Sequence, residues 1–245
     1  AFPREMRLPD PFTPNLKVDL LPEISQPPRI PCDFRAALKG SGMLSDVEGF
    51  LKTRGPASTL AELRTRLEAA EDAQQVELIN SLVLHVGTHG IATLAQAQAS
   101  GLAASAPMEL FGTLMAELSA EARYLFLNAI ANQLRYPNNH THYFSCVLLT
   151  LFSEAADERA QEQITRVLVE RLIVHRPHPW GLLITFIELI KNPRYHFWSK
   201  NFTRCAPEIE RLFESVARSC MAPSAAGGNS TPGAVGGGGA GEEQA

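Results

Sequence analysis

The sequence has no apolar run near the ~20 residues that a helix needs to cross a bilayer. It shows no secretory signal peptide. The four cysteines, Cys32, Cys146, Cys205 and Cys220, include no CxxC pair, which excludes the usual redox and zinc signatures. Three of them lie on or beside apolar helical segments, so reduced, buried thiols in an intracellular protein are expected. Positive charge is not in excess either. The 22 Lys and Arg residues face 26 Asp and Glu, for a net charge of −4, whereas a nucleic-acid binder usually carries a basic field. No glycine loop stands between a strand and a helix to cradle a phosphate; the run Gly236–Gly239 falls in a terminal tail. The chain opens at Ala1 rather than Met, and a piece from the C-terminal end of a longer protein is expected.

What is present is helix. Five apolar segments of helical length follow one another through Ala122–Met221, separated by short polar joints marked by Pro, Asn or Asp. Ile209, Leu212, Phe213, Val216 and Cys220 fall on one helical stripe, with Glu208, Glu210 and Arg211 off it. Ile164, Val167, Leu168 and Leu172 make a second stripe. Leu182–Ile190 is apolar nearly all round and predicts a central buried helix. No segment can hide its apolar surface alone, so stacking is expected to build one continuous core, as in helical-repeat proteins. At 245 residues and 45% hydrophobic, the chain is long enough to bury a large one.

Three parts are expected. Residues 1–32 carry eight of the 17 prolines and read as an extended segment. Its apolar residues, Leu16 to Ile30, suggest that it lies along the domain, and a solvated linker is the alternative. Residues 33–221 form the helical domain. Residues 222–245, rich in Gly, Ala, Ser and Pro, read as a disordered tail. Within the domain, Ser45–Glu48 and Thr59–Glu62 have the spacing of capping boxes. They predict helices over Asp46–Thr53 and from Thr59 to about Ala70, broken by Gly55-Pro56. Further helices are predicted over Gln74–Ala99, Met108–Leu118, from Ser119 to about Arg135, and over Thr141–Glu154, Glu158–His175, Pro179–Lys191 and Pro207–Met221. Gly87 and Gly90 would either bend the Gln74–Ala99 helix or let another element pack closely.

Few constellations could carry chemistry. His85 and His89, at i and i+4, could share a zinc ion, but Val86 stands where a zinc protease has Glu and no third ligand is obvious. His140, His142, His175 and His178 lie in joints near Cys146 and could hold a metal if those joints met; the simpler expectation is loop histidines that cap helices. Cys146 and His142 are also at i and i+4, but the apolar flanks of Cys146 point it into the core, where thiols are inert. Tyr195, Phe197, Trp198 and Phe202, beside Lys200 and Arg204, could stack bases or plug the space between helices, as such clusters more often do. No catalytic residue, cofactor or metal is assigned.

Several stretches resemble one family. They are ELINSLVLHVGTHGIA (Glu77–Ala92), RYLFLNAIANQLRYPNNHTHYFS (Arg123–Ser145), QEQITRVLVERLIVHRPHPWGLLITFIELIKNP (Gln161–Pro193) and CAPEIERLFESVARSCM (Cys205–Met221), with PPRIP at Pro27–Pro31 and LKTR at Leu51–Arg54. Over about Asp19–Met221 the chain resembles the C-terminal domain of the large Not scaffold subunits of the carbon catabolite repression–Not deadenylase complex. The resemblance implies an all-α fold of HEAT-like helical repeats, an α-solenoid without catalysis. It implies partners among the Not-box subunits and, in some animals, short peptides of translational repressors. It implies work in mRNA deadenylation and decay, in the cytoplasm and its mRNA-decay granules and in the nucleus. No membrane contact is expected.

The residues expected to meet partners are those of the polar and aromatic joints: Tyr136, Asn138, His140, His142, Arg176, His178, Trp180, Tyr195 and Trp198. The rival is an RNA-binding helical repeat using Arg123, Arg135, Arg166, Arg171, Arg176 and Arg194, although acids are interleaved with them. Because the tail has almost nothing apolar to bury, deleting Pro223–Ala245 is expected to leave Tm unchanged in a calorimetric scan. A fall beyond about 4 °C, the shift roughly 1 kcal/mol produces, would show that the tail is docked.

Overall fold

The computed structural model describes residues 33–96, 101–175 and 178–204, together with positions 211 and 215. Among the described residues there are nine α-helices, four short 3₁₀ turns and no strand. The protein is all-α. The expected extended segment 1–32, the tail 222–245 and nearly all of the expected helix Pro207–Met221 lie outside the described residues.

The first helix, α1 (Phe34–Gly40), was not legible as an element. Asp33 starts it by accepting the Arg35 and Ala36 amides at 3.0 and 3.1 Å. Helix α2 (Leu44–Thr53) begins earlier than the sequence suggested, so the Ser45–Glu48 capping box does not form. Met43 stands at the cap with no side-chain bond, and its complete burial fixes the entry of the chain instead. Glu48 turns to other work, accepting from Arg35 Nη2 at 2.6 Å. The helix ends on Arg54, a non-glycine residue in the left-handed region at φ 50°, whose guanidinium bonds the Ala104 carbonyl and lies 3.5 Å from Glu109. The second capping box also fails. Helix α3 (Ala57–Ala69) starts directly after Pro56, which puts Thr59 inside the first turn. In both cases burial of the apolar stripe sets the helix start, and the local polar pair yields to it.

Helix α4 (Asp72–Gln96) is the long central element. The expected stripe of Leu78, Ile79, Leu82, Val83 and Val86 is buried, and so are Ser81, Leu84 and His85, because α4 packs against α1 and α3 and three later helices. Those are α5 (Ala106–Glu117), α6 (Ala120–Ala131) and α7 (Asn139–Glu154); α8 (Glu158–Val174) and α9 (Trp180–Lys191) complete the set. Ser105, Ser119, Asn138 and Asp157 cap α5 to α8 through their side chains, as their residue types favour. Helix α6 stops four residues short of the expected Arg135, leaving a joint over 132–138.

The packing alternates. Helix α4 touches α6, and α6 touches α8; α5 touches α7, and α7 touches α9; consecutive helices also touch. The chain thus builds two layers, and the buried side chains between them form one continuous core from Leu38 to Phe202. Helix α9 is buried on all sides except at Trp180, Glu188 and Lys191, as its apolar sequence foretold. Beyond it the segment Pro193–Thr203 winds through three 3₁₀ turns that push Tyr195, Phe197 and Phe202 inward as the expected plug.

Close approach, rather than a bend, explains three glycines. A Cβ on Gly87 would lie 2.1 Å from Phe144 Cζ, and one on Gly90 2.0 Å from Tyr143 Oη. On the other side of α7, a Cβ on Gly181 would lie 2.2 Å from Thr141 Cγ2 and 3.0 Å from the Leu134 carbonyl carbon. Gly87→Ala is therefore expected to cost about 1–3 kcal/mol, the usual range for overpacking. Phe144→Leu in the same chain should recover part of that loss. The check is a double-mutant cycle by urea unfolding, and strictly additive effects would contradict the contact.

Candidate functional site

The α6–α7 joint meets the start of α9. The Gly181 amide donates to the Arg135 carbonyl at 3.0 Å, and the Arg135 amide donates to Thr141 Oγ1 at 3.3 Å. Thr141 Oγ1 in turn donates to the Gln133 carbonyl at 3.1 Å. Deeper in, the Thr185 hydroxyl bridges Ser145 Oγ and the Gly181 carbonyl at 2.8 and 2.7 Å. A glycine at the start of α9 is what lets its backbone reach the joint.

This ring of bonds sets where the expected joint residues go. Tyr136 is 54% exposed at the tip of the first joint. Asn138 spends its side-chain oxygen on the Thr141 amide at 2.9 Å, as the cap of α7. His140 faces the interior, with Nε2 3.0 Å from Gln133 Oε1 and its ring 4.9 Å from that of Phe144. His142 is half-buried and turns back along α7 to bring Nε2 within 3.5 Å of Cys146 Sγ. His178 holds the second joint together, with Nδ1 3.0 Å from the His175 carbonyl. Trp180 packs partly buried against the core, and Arg176 lies outside the described residues. Tyr195 and Trp198 sit beyond the opposite end of α9, so the nine residues do not form one patch. Tyr195 is buried edge-on against Phe152. Trp198 is 40% exposed; its Nε1 donates to the Ile190 carbonyl at 2.9 Å, and it stands perpendicular to Phe197.

The same geometry explains why the joint histidines gather around no ion. His140, His142 and His178 each turn to a partner within their own joint or helix. Among the described residues no three His, Cys, Asp or Glu side chains come together to hold a metal. His85 is buried against Phe34 and lies 3.9 Å from Glu48, and burial lowers its pKa. Burial pushes the Cys146 thiol up to about 11, which leaves it protonated and a poor nucleophile at neutral pH. Four of the arginines that could have tracked RNA are engaged internally. Arg123 donates to Gln163, Arg166 to Glu170, Arg171 to Asn128, and Arg135 to the Asn132 carbonyl. Three of these bonds are on α6 or α8, and two of them, together with Tyr124 donating to Glu170 at 2.7 Å, staple α6 to α8.

Sequence reasoning missed the importance of Gly181 and Thr141, and the length of an acid-free basic run that begins at Lys191. The glycine carried no visible signal, being the first small residue of an apolar helix. The run was readable, since 189–204 contains Lys191, Arg194, Lys200 and Arg204 and no Asp or Glu.

Nine packed helices without a strand among the described residues define an all-helical domain. Residues 1–217 match the family model described as "CCR4-Not complex component, Not1". The chain belongs to the Not1 family of CCR4-Not complex components, in the part called the Not1 superfamily homology domain. It is 47% identical over 229 residues to the CCR4-NOT transcription complex subunit let-711 of Caenorhabditis elegans, a match that covers 90% of the chain and 9% of that protein. It is 39% identical over 238 residues to the general negative regulator of transcription subunit 1 of Schizosaccharomyces pombe, covering 94% of the chain and 11% of that protein. The chain thus spans about a tenth of the length of these curated relatives. Among solved structures, it resembles the NOT1 superfamily homology domain from Chaetomium thermophilum with a TM-score of 0.72 at 33% identity, covering 89% of this chain and 44% of that one. It also resembles a Not1 C-terminal domain in complex with Not4, with a TM-score of 0.65 at 27% identity, covering 88% and 45%.

Burial lowers the pKa of His140 and of His142 to about 4, below the ordinary histidine value. The unfolded chain takes up protons on both below about pH 6.5, while the folded protein refuses them until about pH 4, so stability is full above 6.5 and declines as pH falls through this window. Tm is expected to drop between pH 7.5 and 5.5, and less so in a His140→Gln, His142→Gln variant. A flat profile in the unsubstituted protein would contradict this.

Proposed function

We propose that this domain is a non-catalytic docking platform, on which the Not-box subunits of the CCR4-Not complex assemble. The observation that carries the reading is its likeness to a Not1 C-terminal domain solved with Not4 bound. The packing supports it. The alternation of α4, α6 and α8 with α5, α7 and α9 is the pattern of HEAT-like helix pairs, and such solenoids present extended surfaces to partner chains. Extended partner segments order as they bind, so a large footprint is needed to offset the entropy they lose. The surface is built from Tyr136 in the α6–α7 joint and His178 and Trp180 at the start of α9, with half-buried His142 on α7 and Trp198 at the far end of α9. His140 and Tyr195 support it from within. Short peptides of translational repressors share this mode of binding. Through these partners the domain serves mRNA deadenylation, translational repression and decay, in the cytoplasm and nucleus. The RNA-tracking alternative is weaker, because Arg123, Arg135, Arg166 and Arg171 are already engaged.

The test uses the purified domain. Mixed with N-terminal segments of the Not-box subunits, it is expected to give a complex that survives gel filtration. Mixed with polyadenylated RNA and magnesium, it should leave the RNA intact. Alanine at Tyr136, His142, Trp180 and Trp198 together should weaken the complex. Failure to bind any Not-box segment, or shortened RNA, would overturn the proposal; unchanged binding by a folded quadruple variant would move the site to another face.

A further inference from the structure

At the far end of α9 the chain carries a patch unlike the rest of its surface. Lys191, Arg194, Lys200 and Arg204 fall within one acid-free run, in a protein whose net charge is −4. Lys191, Arg194 and Arg204 are exposed and Lys200 is half-buried. Among the described residues none of the four forms an ion pair. This sets them apart from Arg35, Arg54, Arg66 and Arg166, each of which has a carboxylate partner. Among the described residues, two acids beside the run already accept hydrogen bonds from it. Glu158 accepts from the Asn201 backbone and side-chain amides, and Glu188 accepts from the Asn192 side chain. Trp198 lies in the middle of the run, 40% exposed, and its indole bond to Ile190 fixes it in place. His196, exposed and left-handed at φ 47°, makes the sharp turn that lifts this segment off the end of the helix.

We infer that this patch binds an acidic peptide segment, whose carboxylates meet Lys191, Arg194, Lys200 and Arg204 and whose apolar side chain rests on Trp198. This rests on the docking reading and names the chemistry of one of its partners. Cations without an ion pair among the described residues, on the same short segment as a fixed aromatic ring, suit a short anionic segment, because the charges steer it and the ring anchors it. Single-stranded nucleic acid is the poorer fit. Such binding uses successive stacking rings, but Tyr195, Phe197 and Phe202 are buried and only Trp198 is open. A long polyanion would also have to cross a chain that is acidic overall.

The experiment measures fluorescence anisotropy of a labelled synthetic peptide, a run of Glu and Asp around one Leu-Phe pair. Its Gln/Asn counterpart, oligo(A) and oligo(U) are run beside it. The acidic peptide is expected to bind, to weaken as salt rises, and to lose at least about tenfold in affinity to a Lys191→Glu, Arg194→Glu, Lys200→Glu variant. Lys191 and Arg194 are exposed and form no ion pair among the described residues, so the variant is expected to stay folded, which its Tm checks; a Trp198→Leu variant should also weaken the acidic peptide. Equal affinity in the charge-reversed variant, or tighter binding of either oligonucleotide than of the peptide, overturns the inference. Gel filtration of the same proteins with Not-box segments separates the two readings. No peptide binding with an intact Not-box complex sinks the inference alone, whereas loss of the Not-box complex in the unsubstituted domain sinks the docking platform.

Discussion

Helix α7 is gripped from both sides, and the rest of the domain depends on that grip. On one side Phe144 and Tyr143 sit over Gly87 and Gly90 of α4; on the other Thr141 sits against Gly181 of α9. A helix held at van der Waals distance by two neighbours has few ways to shift, because close-packed interiors respond to displacement with overlap rather than with a soft deformation. The two layers are therefore locked to each other at α7, and the joints at its N-terminal end inherit that rigidity. Tyr143 bears a cost for its place: its hydroxyl is buried with no hydrogen-bond partner among the described residues.

Rigid joints suit a docking surface. A partner chain that is extended before binding loses entropy when it orders, and a platform that also had to order would lose more. Here Asn138 caps α7, His178 bonds its own joint, and the Gly181–Arg135 bond ties the α6–α7 joint to the start of α9. Polar groups that looked available for chemistry in the sequence are instead part of this frame. His140 is committed to Gln133 and Cys146 is a protonated thiol. Tyr136 near one end of α9 and Trp198 beyond the other stay exposed.

The arginines show the same division of labour. Arg123 and Arg171 reach between α6 and α8 and hold the layer together, while Arg166 pairs with Glu170 on its own helix. Arg194 and Arg204, after α9, form no ion pair among the described residues. One residue type thus serves cohesion where a helix stands within reach of the guanidinium and is left exposed where none does.

The sequence by itself determined the helical class, the place of most helices and the core. Apolar spacing fixes which face a helix must bury, as in Leu78–Val86 and Leu182–Ile190, and side-chain caps such as Ser105, Ser119 and Asp157 act within a few residues of the chain. It did not determine the starts of α2 and α3, where burial of Met43 and of the Leu60–Leu67 stripe overrode two well-spaced capping boxes. Nor could it show that the joint of residues 132–138 meets the start of α9, that His140 points inward while Tyr136 points out, or which arginines find a carboxylate. Those outcomes depend on which helix lies beside which, and contacts between distant residues leave no periodic mark on the chain that forms them.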